Sequence, residues 1–281
     1  MSLASKTKDI INHFGFKFSK SLGQNFLIDQ NILDKIVGAA ELNNESCVIE
    51  IGPGIGTMTQ EVAKFASKVV AIELDDTLIP VLNETLGNYN NIKVIHNDAL
   101  KVNFKRLIEE ENLTEVKVVA NLPYYVTTPI ISKLLTEKPG LRAIIIMIQR
   151  EVADRMVAKP GSKEYGALSL LVQYYTKVEK ITRVPPACFI PQPKVESAVI
   201  KMTILEEPAV KVNDEKLFFK IIRDSFNMRR KTLWNVLKQT GLSQEKLEKV
   251  FSDSGIDPKR RGETLTIEEF AKLSDRVRDN M

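Results

Sequence analysis

Between about residues 47 and 150, short runs rich in β-branched residues alternate with stretches of helical spacing. This alternation constrains the fold of the 281-residue chain more than any other feature. The apolar runs are Cys47 to Ile51, Lys68 to Leu74, Ile92 to His96, Val116 to Ala120 and Leu141 to Ile148. Between them, Thr57 to Ala66 and Thr77 to Leu86 carry the helical period. Runs this short and apolar, separated by helices, read as parallel strands buried on both faces. The expected fold is a doubly wound α/β sheet with ligands at the carboxyl ends of its strands. Glu196 to Ile204 reads as a late strand, placed at the sheet edge in an antiparallel pair. From about Asn213 onward only helical spacing remains, with Ser243 and Thr266 as N-caps. The expected division is a domain over 1–207 and a small all-helical domain over 208–281.

Several function classes fall away on composition. The longest apolar run, Ala143 to Ile148, is far short of the ~20 residues a membrane span needs. Cys47 and Cys188 lie far apart, and the two histidines, His13 and His96, cannot build a histidine-rich metal site. No metal, no membrane and a reducing cytoplasm are therefore expected. Zincin, nucleophile-elbow and P-loop motifs are absent. The amino terminus has lysines but no apolar core of a secretory signal. A net charge of +4 permits a nucleic-acid partner without demanding one.

The first strand runs into Gly52-Pro53-Gly54-Ile55-Gly56 and then a helix. Glycines there let the backbone turn tightly and approach a ligand closely. The third glycine comes one residue early for the dinucleotide pattern, and the spacing resembles the nucleotide loop of S-adenosylmethionine-dependent methyltransferases. Glu73 ends the second strand, about 20 residues after Gly52, where an acid can accept the hydroxyls of a ribose. Asp98 follows the third strand and can accept the amino hydrogens of an adenine. Together they point to an adenosine-containing cofactor; His96, by alternation, faces away.

The fourth strand ends in Asn121-Leu122-Pro123-Tyr124. An exocyclic adenine nitrogen is a poor nucleophile because its lone pair is delocalised into the ring. The Asn121 amide oxygen and the Leu122 carbonyl can each accept one hydrogen of that amino group, and Pro123 stiffens the turn. Tyr124 offers a stacking face, on the order of 1–3 kcal/mol per base. Methyl transfer is then an in-line displacement that needs positioning and electrostatics more than a base. Phe189, in a loop stiffened by Pro191 and Pro193, reads equally as a cover for a flipped base or as a hydrophobic plug. Gln24 and Asn25 can bond the methionine part of such a cofactor, and Asp29 caps the following helix.

These segments, with Leu22 to Leu27, Asn97-Asp98-Ala99 and Phe189 to Val195, resemble the ribosomal RNA adenine dimethylase family over nearly the whole chain. Val157 to Gly166 and Phe226 to Leu233 are similar to its bacterial small-subunit branch; Gly262 stands where proline is expected. The resemblance implies a Rossmann-like class I S-adenosylmethionine methyltransferase sheet with a helical carboxyl-terminal domain. It implies cofactor contacts at Asn25, Leu27, Gly52, Glu73, Asp98 and Asn121, to which the residue chemistry above adds Gln24 and Gly54. Target-adenine contacts fall on Asn121, Leu122, Tyr124 and Phe189, with Pro123 completing the catalytic group as the residue that stiffens the turn. The implied reaction is dimethylation of two adjacent adenines in the 3′-terminal hairpin loop of small-subunit ribosomal RNA, within the 30S ribosomal subunit, where unstacking costs least. A role in small-subunit assembly is also implied.

Three basic groups are expected to meet RNA phosphates: Lys17 and Lys20, Arg229-Arg230-Lys231 at a helix start, and Lys259-Arg260-Arg261. A solvated helix face is the alternative for each. Two other functions stay open: a macrolide-resistance-type methylase of large-subunit RNA, and an assembly factor whose catalysis is secondary. The helical tail and Lys159 to Ser162 argue against the first.

Overall fold

A computed structural model describes residues 2–16, 18–19 and 23–281. Lys17 and Lys20 lie outside the described residues. The chain forms two compact units: Met1–Ala153 with Val178–Ile204, and Asp154–Lys177 with Leu205–Met281.

The first unit begins with α1 (Leu3–His13), β1 (Phe26–Leu27) and α2 (Gln30–Ala40). The alternating region follows as β2 (Cys47–Ile51), α3 (Thr57–Ala63), β3 (Lys68–Glu73), α4 (Ile79–Leu86), β4 (Ile92–His96), α5 (Phe104–Glu110), β5 (Lys117–Asn121), α6 (Thr127–Thr136) and β6 (Ala143–Gln149). In chain order there follow α7 (Arg150–Met156) and α8 (Ala167–Tyr175), through which the chain enters the second unit, and then β7 (Thr176–Val184), β8 (Phe189–Ile190) and β9 (Ser197–Ile204) back in the first. The seven-stranded sheet has the order β4-β3-β2-β5-β6-β9-β7, and β2 through β6 are mutually parallel. Val48, Ile49, Val69, Val70, Val118, Val119, Ile144 and Ile145 are fully buried, as runs covered on both faces must be. The direction of chain progression reverses at β2, whose neighbours are β3 and β5, so a crevice opens there at the strands' carboxyl ends.

β9 is antiparallel to β6 as expected, but it lies inside the sheet, with β7 as the edge. β7 carries Lys177, Glu179, Lys180 and Arg183, and its exposed charged positions hide a strand from a search for apolar runs. Such charges suit an edge, where they discourage pairing with other chains. A separate ribbon pairs β1 with β8 antiparallel, setting Leu27 opposite Phe189. Asp29 caps α2 by accepting from Ile32 N at 3.1 Å.

The second unit contains α9 (Glu215–Asn227), α10 (Leu233–Leu237), α11 (Gln244–Ser254) and α12 (Ile267–Asp279). Ser243 caps α11, and Thr266 forms a capping box with Glu269. The unit also takes in residues 154–177, which the expected boundary at 207/208 leaves in the first domain. The cause is aromatic packing: Tyr174 lies 5.2 Å from Phe218 and 5.1 Å from Phe219 between ring centroids. Tyr165 is buried and donates its hydroxyl to Leu265 O at 3.0 Å. No local period announces contacts between segments this distant in sequence.

Gly262 has a packing reason. A Cβ there would sit 2.6 Å from Ser225 Cβ on α9. Gly262→Ala is expected to cost about 1–3 kcal/mol in chemical denaturation. Adding Ser225→Gly should recover part of that loss; no recovery would show that the contact is not the cause.

Candidate active site

The crevice at the β2 reversal opens into a pocket built from the ends of β2, β3, β4 and β5 and from the segment before β1. Gln24, Asn25, Leu27, Gly52, Gly54, Glu73, Asp98, Asn121, Leu122, Pro123 and Tyr124 all line it. Its lining carries three carboxyl side chains, Glu50, Glu73 and Asp98, and no lysine, arginine or histidine among the described residues. The carboxylates of Glu73 and Asp98 disfavour phosphates and suit a cation.

The glycine loop shapes the floor. Gly52 holds φ +72°, a region that L side chains rarely adopt, and a Cβ there would meet nothing closer than Asn121 O at 3.8 Å. The space above it is therefore left for a ligand. Gly56 answers to packing instead: with φ +83°, its Cβ would come within 2.9 Å of Leu86 Cδ2.

Glu73 is buried, and its carboxylate collects backbone donors. Oε1 accepts from Leu74 N and Asp75 N, both at 2.8 Å, and Oε2 from Gly54 N at 3.3 Å. Burial raises its pKa while these bonds oppose the rise. Glu73 thus ties the glycine loop to β3 as well as facing the pocket. Asp98 is half-buried, and Oδ1 accepts from Leu100 N at 2.9 Å, which leaves a second carboxyl oxygen for a ligand.

Asn121 is oriented by a single bond. Its Nδ2 donates to the main-chain carbonyl of Asn25 at 2.9 Å, so its oxygen remains as acceptor. The turn that follows is pinned at several points. Leu122 N donates to Met147 O at 3.2 Å, and Val126 N and the buried Thr127 hydroxyl both donate to Pro123 O. Tyr124 is half-buried, and its hydroxyl lies 2.9 Å from Ser197 Oγ at the start of β9. Burial holds the Tyr124 pKa above the ordinary phenol value, so the ring stays neutral.

Four of the expected contact residues, Gln24, Phe189, Arg229 and Arg260, have partners within the protein. Gln24 uses both ends of its amide inside the protein: Oε1 accepts from Ser19 N at 2.8 Å, and Nε2 donates to Asp75 Oδ2. It ties the residues just before β1 to Asp75 while still lining the pocket. Phe189 is 1% exposed and does not line the pocket. It packs in the core with Leu27, Leu33, Val119 and Ile145. Arg229, Arg230 and Lys231 lie in the turn after α9, before the start of α10. Arg229 pairs with Glu263 at 2.8 Å and donates to Lys163 O, and Arg260 makes a two-pronged pair with Glu269. Both guanidinium groups hold the second unit together, whereas Arg230, Lys231, Lys259 and Arg261 are exposed.

Sequence reasoning passed over four pocket residues. Leu74, Leu100 and Tyr125 are large apolar side chains exposed at its rim. Their position beside strand-end acids or the Asn121 turn is the signal that was available. The fourth is Glu50. It is completely buried, and neither carboxyl oxygen has a hydrogen-bond partner. Burial pushes its pKa up to about 8; the nearby Thr59 hydroxyl opposes the rise and Glu73 adds to it.

A sheet of this order, with a glycine loop, strand-end acids and an Asn-Leu-Pro-Tyr turn at its reversal point, defines a class I methyltransferase. The family model for ribosomal RNA adenine dimethylase matches residues 15–279, and the chain belongs to that family. It is 58% identical over 273 residues to a Clostridium botulinum protein named ribosomal RNA small subunit methyltransferase A, covering 97% of this chain and 98% of that one. A Clostridium acetobutylicum protein of the same name is 58% identical over 271 residues, covering 96% and 98%. Among solved structures, a dimethyladenosine transferase from Plasmodium falciparum superposes with TM-score 0.73 at 27% identity, covering 88% of this chain and 95% of that one.

The Glu50 environment has a thermodynamic signature. Its folded-state pKa lies above the unfolded value near 4.5. Its stabilising contribution is therefore fully present below pH 4.5 and is lost as pH rises towards 8. Relative to Glu50→Gln, the ligand-free wild type should lose on the order of a few kcal/mol across that window. Parallel pH-stability curves for the two proteins would contradict this.

Proposed function

We infer that this chain uses S-adenosylmethionine to dimethylate the N6 amino groups of two adjacent adenines in the 3′-terminal hairpin loop of small-subunit ribosomal RNA. The observation that carries the reading is the Asn121 amide. With Nδ2 committed to Asn25 O, its oxygen is a fixed acceptor at the pocket wall. That polarity suits an amino group and rejects an exocyclic carbonyl oxygen. An adenine whose amino hydrogens are taken by Asn121 Oδ1 and the Leu122 carbonyl has its nitrogen lone pair directed out of the ring plane. Tyr124, fixed by Ser197, supplies the aromatic face against which the base rests.

The residues present fit S-adenosylmethionine. Gly52 leaves space for a close approach, Glu73 and Asp98 offer acceptors for ribose and adenine, and Leu74 and Leu100 offer apolar contact. Three carboxyl groups without a cation match a ligand that carries positive charge. The bound cofactor supplies an electrophilic methyl group on a sulfonium. The protein itself orients the nucleophile and excludes water; no side chain has to act as a strong base.

The two Clostridium relatives are named for the small subunit, which favours that substrate over large-subunit RNA. The RNA reading rests on exposed cations, with Arg230, Lys231, Lys259 and Arg261 as the free members of the two clusters. No helix among the described residues is long and apolar enough to cross a membrane, and no cluster of metal-ligating side chains occurs among them. Both cysteines are free and buried, in keeping with a reducing cytoplasm.

Asn121→Ala should lower the rate of N6,N6-dimethyladenosine formation on undecorated 30S subunits by about 100-fold or more. Its affinity for S-adenosylmethionine should change much less. Equal loss of rate and cofactor affinity would place Asn121 in cofactor binding alone. Pairing Arg230→Ala with Lys231→Ala should flatten the salt dependence of RNA binding without changing thermal stability. Arg229→Ala and Arg260→Ala should do the reverse, lowering the melting temperature more than the salt slope.

A further inference from the structure

Glu50 and Glu73 stand near the carboxyl ends of adjacent parallel strands, and both residues belong to the pocket wall. Their surroundings differ completely. Glu73 receives three backbone N–H groups, which keep a carboxylate solvated by the protein. Glu50 receives none and is sealed from bulk water. A carboxylate in that position lacks both water and protein donors, so the group is held as the neutral acid. The groups packed around it do not rescue the charge. Thr59 of α3 offers only a hydroxyl, and Glu73 of β3 is itself acidic. No cationic side chain lines the pocket among the described residues. A fully buried acid of this kind, facing a cavity without a partner, is costly unless a ligand completes it.

We propose that Glu50 is the latent counter-charge of the pocket, neutral in the free protein and ionised when a cationic methyl donor enters. The proposal rests on the S-adenosylmethionine reading above. On binding, the O–H bond of the Glu50 carboxyl breaks, the electron pair stays on oxygen, and the proton leaves to solvent. The missing positive charge is brought by the donor and not by the chain. Donor affinity is therefore linked to pH through a residue that makes no other use of its charge. The same linkage lets the free protein avoid an unpaired buried anion.

The test is isothermal titration calorimetry of the full chain with S-adenosylmethionine at pH 6.5, in two buffers of different ionisation enthalpy. Wild type should release close to one proton per donor bound, and its affinity should weaken about tenfold per pH unit between 7.5 and 5.5. Glu50→Gln should still bind, with almost no proton release and a flat pH profile. Binding by wild type without proton release overturns the proposal. So does equal release by Glu50→Gln, which would assign the proton to Glu73 or another group. Absence of any binding by folded wild type would instead remove the donor reading on which the proposal stands. If Glu50→Gln does not fold, infrared difference spectra of wild type decide. A protonated-carboxyl band must disappear when the donor is added, and its persistence rejects the mechanism.

Discussion

The parallel ladder around β2 is the constraint on which the rest depends. Once β2 has β3 on one side and β5 on the other, the helices that follow β2 and β5 leave in different directions, and a crevice must open at the strand ends. The turns at these ends then converge on one volume: the glycine loop after β2, the acid closing β3, and the Asn-Leu-Pro-Tyr turn beginning at the end of β5. Asp98 enters from just beyond β4 for the same reason. None of these residues is close to the others in sequence. The buried Val and Ile ladder brings them together, and its burial also gives the strand ends the rigidity that positioning chemistry needs.

The second organising feature is the set of contacts that the residues before and within β1 make with the pocket wall. Phe16 and Phe18 pack against Phe26, next to Ile55 of the glycine loop and Leu78 and Val81 near α4. Gln24 donates to Asp75, and Asn25 offers its carbonyl to Asn121. The consequence is chemical. The rotamer of Asn121 at the pocket wall depends on a main-chain position almost a hundred residues earlier. An asparagine alone can present either end of its amide; with Asn25 in place, it presents oxygen. Distal packing of three phenylalanine rings thereby bears on the polarity of the site.

Legibility followed locality. Strand-end acids, glycines and N-caps have signatures within a few residues, and Glu73, Asp98, Ser243 and Thr266 could be read from them. The reading weakened wherever a residue's role was settled by a distant partner. Phe189 sits in a loop whose prolines suggest exposure, yet its pairing through β8 with β1 drives the ring into the core. Arg229 and Arg260 look like members of basic clusters until Glu263 and Glu269 are brought beside them by the helical unit's own packing. Residues 154–177 carry no mark of their unit because Tyr165 and Tyr174 declare it only through contact. Glu50 was hidden differently: inside a run of buried strand residues, an acid reads as an interruption of the pattern, and nothing in the sequence says whether it will find a donor.

Glu50 and Glu73 also show how one sheet end makes two different acids from the same side chain. Backbone N–H groups are available only where the chain turns, and Glu73 stands at such a turn, between β3 and Asp75. Glu50 lies one residue inside β2, where the backbone donors are already engaged in ladders to both neighbours. Its carboxyl group therefore cannot be satisfied by the main chain without breaking the sheet that builds the pocket. Moving the acid one residue later, to the position of Ile51, would leave it in β2 between the same two neighbours and reverse the face of the sheet to which it points. The geometry of a strand thus forces a choice between a solvated carboxylate and one that faces the cavity from within the wall. The unpaired group is a direct consequence of building a ligand site from the ends of parallel strands.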